Sequence, residues 1–496
     1  MAAPCTVHCR APEESSMPRI ALFGFGKHLW PSVERTRHFY ERALSSRFSL
    51  VSVDEDAPLP GDVDAVLSFN SRRTWMDRPR VDLPHVFAMH GGPILDQGFL
   101  ATHLDRLERT DALLINCTSD AAIFRDVFDG PTPHLCHLPL PVDPGVFHPR
   151  ERQECRELLG VEGYDVVVGF VGRLVPQKNA HLFLRMLARL RERLHPRRVA
   201  GVVVGNYWVD YPVLGYTPGY QQEMGRIITT LGLGEDLFYF PANLTDEDLA
   251  STYGALDVLV HPTHSIDENF GYTPVEAMAC GTPVVGAAYG GLKDTVLPGE
   301  TGFLMPTWTT RTGLRSDVLG GVEALARVLT EPGLRQRLSE GALRRATTDY
   351  GEPACARILC DAVSGAIEAR RTGPSAPLRL KPRPPEPPPS GLLPPTPGFP
   401  WEHYAREVSH YASTPAPVPG EHSRLWVSAP LVEEAPGTVR LDDPAWPARF
   451  TLEPPDAALV SRCREPVAVA TLKAEGAWDA ARAAHWVREG LLVSSD

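Results

Sequence analysis

One segment limits the possible folds of this chain more than any other. Residues 165 to 171 read DVVVGFV, a continuous apolar run of the kind shown by a strand buried on both faces of a parallel sheet. The run ends in Gly172-Arg173-Leu174-Val175-Pro176-Gln177-Lys178-Asn179. Apolar residues then recur at Leu182, Leu184, Met186, Leu187 and Leu190, which is the spacing of one helix face. Strand, basic loop and helix in that order place Arg173 and Lys178 at the C-terminal edge of a sheet, where open α/β folds bind their ligands. Only five of the 49 lysines and arginines are lysine. A lysine at this junction therefore reads as a point-charge contact to phosphate, with a solvated helix start as the ordinary alternative.

A second segment, Glu268 to Gly302, reads ENFGYTPVEAMACGTPVVGAAYGGLKDTVLPGETG. Glu268 and Glu276 flank a Phe270-Gly271 turn and a helix start, with Thr273 expected as N-cap and Pro274 at the first helical position. A helix N-terminus reached through a glycine favours an anion, because its free N–H groups and dipole both attract negative charge. Carboxylates beside a phosphate are poor ligands for it and good acceptors for hydroxyls, so the segment describes a sugar nucleotide. The same residues also spell a capping box, in which Glu276 would serve only its own helix end.

The segment continues through Met278-Ala279-Cys280-Gly281, an apolar strand from Thr282 to Gly286, Gly290-Gly291, Asp294 and Gly299 to Gly302. With Glu268 and Glu276 matching an E-x7-E motif, it resembles the donor site of retaining glycosyltransferases of group 1, a family 4-like set with the GT-B architecture. The resemblance covers about residues 18 to 372. It implies two Rossmann-like domains facing a cleft, a nucleotide-diphosphate sugar as donor substrate, no other cofactor and no metal. It also implies that Arg173 and Lys178 bind the donor diphosphate, Glu268 the sugar hydroxyls and Glu276 the ribose, with Asn269, Phe270, Gly271 and Tyr272 forming the turn around the donor. His90, before Gly91-Gly92 at the end of the expected strand His85 to Met89, matches the family's active-site histidine. One departure stands out: Pro262 to Glu268 is two residues longer than the family's usual loop, which leaves the sugar preference open.

The resemblance and the apolar runs together give an organisation of 1-17 loose extension, 18-149 acceptor domain, 150-345 donor domain and 346-372 return helix. The segment Leu138 to Pro149 resembles the family's interdomain connection, and a helical pattern from Ala354 to Arg370 is expected to cross back onto the first half. In the first half, Gly24-Phe25-Gly26 follows the first strand without completing a dinucleotide fingerprint, so Gly24 and Gly26 are expected to form a tight turn near a phosphate. Asn70, Ser71 and Arg72 are weaker acceptor candidates. The donor base is expected at Pro241, Ala242, Asn243 and Leu244, before a helix capped by Thr245 with Asp248 three residues on.

Beyond residue 372 the chain turns proline-rich, and residues 373-420 read as a semi-rigid linker. A small α+β module at 421-496 follows, with three short helices closing on Gly490-Leu491-Leu492-Val493, similar to winged-helix modules and expected to dock a partner such as a peptide or protein acceptor. A net charge of −12 argues against a nucleic-acid partner. No apolar run is long enough to span a bilayer and no signal peptide is evident, so the expected location is cytoplasmic. Nine scattered cysteines form no disulfide framework, and Cys5, His8 and Cys9 lack a fourth metal ligand. Competing readings are a metal-dependent transferase using Asp54-Glu55-Asp56, a sugar-nucleotide epimerase or glycosyl phosphorylase on the same fold, and a catalytically weak nucleotide-sugar-binding protein.

Overall fold

The computed structural model describes residues 17–27, 31–69, 74, 82–94, 104–208, 210–211, 215–216, 219–382 and 401–495. Asn70, Ser71, Arg72, Cys5, His8, Cys9 and the proline run from Pro384 to Pro389 lie outside them.

Two parallel six-stranded sheets organise the chain. The first runs, from edge to edge, Ser49–Val53, Arg19–Phe23, Ala65–Phe69, His85–Ala88, Ala112–Ile115 and His134–His137. The second runs Leu237–Phe240, Val199–Val204, Val166–Val171, Val258–His261, Val284–Ala287 and Gly302–Met305. Val166–Val171 is buried along its whole length near the centre of the second sheet, as an uninterrupted apolar strand must be when helices cover both faces. Parallel strands are joined by crossovers that usually carry a helix, and Ala180–Leu194 supplies the one between Val166–Val171 and Val199–Val204 with its apolar face inward.

The Glu352–Thr372 helix crosses back to the first sheet, burying Cys355, Leu359, Val363 and Ala366 against the Pro31–Ser45 helix and the strands beneath. Arg42 and Arg47 pair with Glu352 at 2.9 Å and Asp361 at 2.7 Å along the same seam.

The region beyond residue 372 departs from the expected spacer. Residues 374–382 run along the first half as an extended edge: the Arg109 N–H donates to the Ala376 carbonyl at 3.0 Å, and the Lys381 N–H to Val127 at 2.9 Å. A helix follows at Trp401–Tyr411, inside the stretch read as linker. Its Val408 and Tyr411 are fully buried, and that burial, invisible beside so many prolines, is what makes it a helix rather than a tether.

The last part has the three expected helices, Pro454–Arg462, Val469–Ala474 and Ala480–Glu489, closing on the strand Leu492–Ser495, together with strands Arg424–Val427 and Ala448–Thr451. It also has a hairpin, Leu431–Ala435 with Thr438–Leu441, that the sequence pattern did not reveal. It is packed onto the second half: Trp426, Ala445, Trp446 and Val493 join the core of the donor-side sheet. Buried Arg315 donates from Nε to the Gly490 carbonyl at 2.8 Å, and Asp442 pairs with Arg226 at 2.6 Å.

Candidate functional site

The loops after Val166–Val171 and Val258–His261 meet at the C-terminal edge of the second sheet. There Lys178 Nζ pairs with Glu268 Oε2 and lies 3.8 Å from Asp267, while Arg173 donates to Asp267 at 2.5 Å. Lys178 is 8% and Glu268 4% exposed, so these charges are withdrawn from water and depend on one another. Burial alone would raise the Glu268 carboxyl, but Lys178 and His261 outweigh it and hold it at about 2. Asp267, equally buried, is held well below the carboxylate range by Arg173 and Lys178.

Local backbone fixes this arrangement. Lys178 ends a short 3₁₀ turn, and Asn179 takes a left-handed φ of 61° while its amide donates to the Pro262 carbonyl at 2.7 Å. Gly271 takes φ 82°, a left-handed conformation that favours glycine, and a Cβ there would also stand 3.0 Å from Glu268 Oε1. Around the ion pairs, the Gln177 amide, His261 Nδ1 and the Tyr289 hydroxyl are buried and have no hydrogen-bond partner among the described residues. Buried polar atoms of this kind ordinarily have partners, so their grouping here leaves hydrogen-bonding capacity open to a polar ligand or to water.

The loop from Pro262 to Glu268 reaches the C-terminal module. His264 sits between the two parts of the chain: its N–H donates to the Gln177 carbonyl at 2.7 Å, Nε2 meets Ser316 Oγ at 2.8 Å and Nδ1 accepts from Trp446 Nε1 at 3.1 Å. Burial lowers the His264 imidazole to about 3, so it is neutral.

The wall opposite comes from the first half. His90 lies just past its strand, with Nδ1 3.0 Å from Asn116 Oδ1 and its ring against those of Phe69 and Tyr40. Asn269, next to Glu268, crosses the cleft: its amide lies 3.2 Å from the Met89 carbonyl and 3.3 Å from Asp120 Oδ2. Burial raises Asp120 to about 6 despite hydrogen bonds from Tyr411 and Asn269. Phe270 is buried against Tyr272 and Tyr350. Gly24 has φ 77°, as a tight turn requires, whereas open space around Gly26 imposes no need for glycine there.

Glu276 departs from the capping-box reading. The Tyr272–Ala279 helix is capped by Gly271, Thr273 is its second residue, and no side chain closes the cap. Glu276 Oε1 instead accepts from Arg35 of the first half at 2.7 Å and Oε2 from the Tyr253 hydroxyl at 3.0 Å. Burial raises its carboxyl, offset in part by Arg35. The capping box expected at Thr245 and Asp248 does form. Just before it, Pro241, Ala242 and Asn243 are exposed, Leu244 is half-buried, and the Ala242 N–H donates to Asn206 at 3.0 Å. Asp54-Glu55-Asp56 is an exposed turn after the edge strand of the first sheet. Among the described residues no cluster of His, Cys, Asp and Glu is arranged to hold a metal, and no helix is long and apolar enough to cross a membrane.

Sequence reasoning passed over Asp267, Asp120, Asn116, Arg35 and Tyr411. Asp267 adjoins Glu268 and was within reach, while the others are joined to the site only by folding.

Residues 151–345 match the model of glycosyl transferases group 1. The chain is 30% identical over 339 residues to the D-inositol 3-phosphate glycosyltransferase of Stackebrandtia nassauensis, covering 64% of this chain and 72% of the relative. It is 33% identical over 246 residues to that of Kribbella flavida, covering 48% of this chain and 53% of the relative, about half its length. Among solved structures, sucrose-phosphate synthase from Thermosynechococcus elongatus is similar in fold, with TM-score 0.56, 18% identity, 71% of this chain covered and 100% of that one. Anabaena HepE in complex with UDP and glucose gives TM-score 0.51 at 18% identity, over 70% of this chain and 99% of that one. With two parallel sheets facing one cleft and a relative of 30% identity matched over most of its length, the chain belongs to the group 1 glycosyltransferases and has their GT-B fold.

Proposed function

We propose that this chain transfers a glycosyl group from a nucleoside-diphosphate sugar to an acceptor hydroxyl, with retention of anomeric configuration and without a metal ion. The observation that carries the reading is the buried Lys178–Glu268 pair, with Arg173–Asp267 beside it, unpartnered atoms of Gln177, His261 and Tyr289 around it, and Asn269, next to Glu268, reaching the same Asn116 oxygen that His90 Nδ1 meets.

In this reading the donor diphosphate takes over Arg173 and Lys178, whose charges are at present met by Asp267 and Glu268. Glu268, released toward the sugar, accepts from its hydroxyls, and the Gln177 amide and Tyr289 hydroxyl complete the set. Glu276 receives the ribose while keeping Arg35 as its counter-charge, and the exposed loop Pro241 to Leu244 lies under the base. As the bond between the anomeric carbon and the phosphate oxygen breaks, its electron pair goes to the diphosphate, where two fixed cations stabilise the growing charge. The acceptor oxygen bonds to the same face of the anomeric carbon and its proton passes to the departing phosphate oxygen. The oxocarbenium-like centre lies toward His90.

HepE, similar in fold, is complexed with UDP and glucose, which makes a uridine donor the first to test. The relatives from Stackebrandtia and Kribbella are D-inositol 3-phosphate glycosyltransferases, which puts an inositol phosphate first among acceptors. A thermal-shift panel of UDP-, GDP- and ADP-sugars, followed by product analysis with inositol 3-phosphate in excess EDTA, tests the proposal. A glycosylated inositol phosphate formed only with acceptor present, and undiminished by chelation, is the expected result. Product formed without acceptor, or abolished by EDTA, contradicts it.

A further inference from the structure

The Trp401–Tyr411 helix belongs to neither sheet, yet it is bound to both halves. On the first half, Arg406 pairs with Asp126 at 2.8 Å, and His410 lies 3.3 Å from the same carboxylate. On the second, Lys293 Nζ donates to the His410 and Ala412 carbonyls, each at 2.9 Å, and the Gly290 N–H donates to the Tyr411 carbonyl at 2.9 Å.

Tyr411 is fully buried where the halves meet. Its hydroxyl donates to Asp120 Oδ1 at 2.6 Å, and the other Asp120 oxygen faces the Asn269 amide at 3.3 Å. Packing leaves no slack. A Cβ on Gly92, two residues past His90, would stand 2.4 Å from the Tyr411 hydroxyl, and one on Gly290 would stand 2.0 Å from the Glu268 carbonyl and 3.2 Å from the Tyr411 ring. The Gly291 N–H completes the contact by donating to the Glu268 carbonyl at 2.8 Å.

We propose that Tyr411 is a positioning residue for the transfer reaction: its hydroxyl fixes Asp120, Asp120 holds Asn269, and Asn269 keeps the adjoining Glu268 in register with His90. The inference rests on Glu268 as a donor-binding group. The physical reason is that a fully buried carboxylate needs its donors. Asp120 faces the Tyr411 hydroxyl, the Asn269 amide, the Cys117 thiol and the Asn116 backbone, and removing the first leaves it to pull on the others. A Glu268 displaced by a fraction of an ångström still binds a sugar but meets the transition state poorly.

The test uses the full chain with Tyr411→Phe, which keeps the ring, and Tyr411→Ala for comparison. Amide exchange in residues 266–272 should quicken about tenfold in Tyr411→Phe while the strand Val258–His261 keeps its protection. With the most active of UDP-, GDP- and ADP-glucose, kcat should fall about tenfold with the donor KM within about twofold, and Asp120→Asn with Tyr411→Phe together should be no worse than either alone. Unchanged exchange in 266–272, an equal rise in Val258–His261, or additive losses in the double variant would overturn the proposal. If the wild-type chain turns over none of these donors, the donor reading fails by itself, and exchange still decides whether Tyr411 positions the loop.

Discussion

Lys178 with Glu268, and Tyr411 with Asp120, are two contacts in one cleft, and they are encoded in different ways. The first joins loops that leave neighbouring strands of one parallel sheet, so the strand order alone brings them together. The second joins a helix of the first half to a residue 291 positions later, through a segment whose composition advertises a spacer. A sheet edge converts local pattern into a site. A docked helix is specified only by the surface that receives it. The difference teaches that the C-terminal part of this chain is built into the catalytic body rather than tethered to it.

Deleting residues 401–496 is the most severe way to break that comparison. The truncation uncovers Trp308 and Leu314 and leaves buried Arg315 without the Gly490 carbonyl. It should lower the thermal midpoint by more than about 10 °C and abolish donor hydrolysis and transfer together. A truncated chain that folds and hydrolyses donor normally would restore the tethered-module reading.

A gentler probe is pH. His264 titrates at about 3 in the folded protein and near 6.5 when unfolded, so the unfolded state gains the proton first and stability falls as pH drops below about 6.5. Between pH 7 and pH 5 the cost is about 2 kcal/mol. Buried His181, also lowered, acts in the same direction. Asp120, raised to about 6, acts in the opposite one, since its folded form takes up a proton as pH falls through 6. Urea denaturation of wild type and His264→Gln at both pH values isolates the histidine: the variant should lose that pH-dependent cost, and a parallel response in both proteins would remove His264 from the account.

The smallest expected effect is at Glu276. Glu276→Gln should weaken donor binding by about 1.5 kcal/mol, read by calorimetry with UDP on the folded variant, separately from the stability it loses with its ion pair to Arg35. Binding equal to wild type would leave Glu276 as no more than the partner of Arg35.

These contrasts also show how far the sequence was legible. The buried strands, the basic loop at Arg173 and Lys178, the Thr245 cap and the helical pattern of Ala354 to Arg370 all follow from periodicity and local chemistry, whereas the crossing of that last helix onto the first half came only from the family resemblance. Thr273 misled because Gly271, with a positive φ, starts the helix earlier than a threonine cap would. Arg35 on Glu276, Trp446 on His264 and Tyr411 on Asp120 span from about 180 to nearly 300 residues. No local pattern announces contacts of that range, because tertiary burial selects them.

The central claim is that Lys178 and Glu268 hold a donor and not merely each other. Turnover by Lys178→Ala and Glu268→Gln, measured on the folded fraction beside calorimetric binding of UDP, tests it most directly. Turnover should fall about a hundredfold or more in each variant while UDP binding weakens less than about tenfold. Wild-type turnover in folded Lys178→Ala or Glu268→Gln would show that the pair only stabilises the fold.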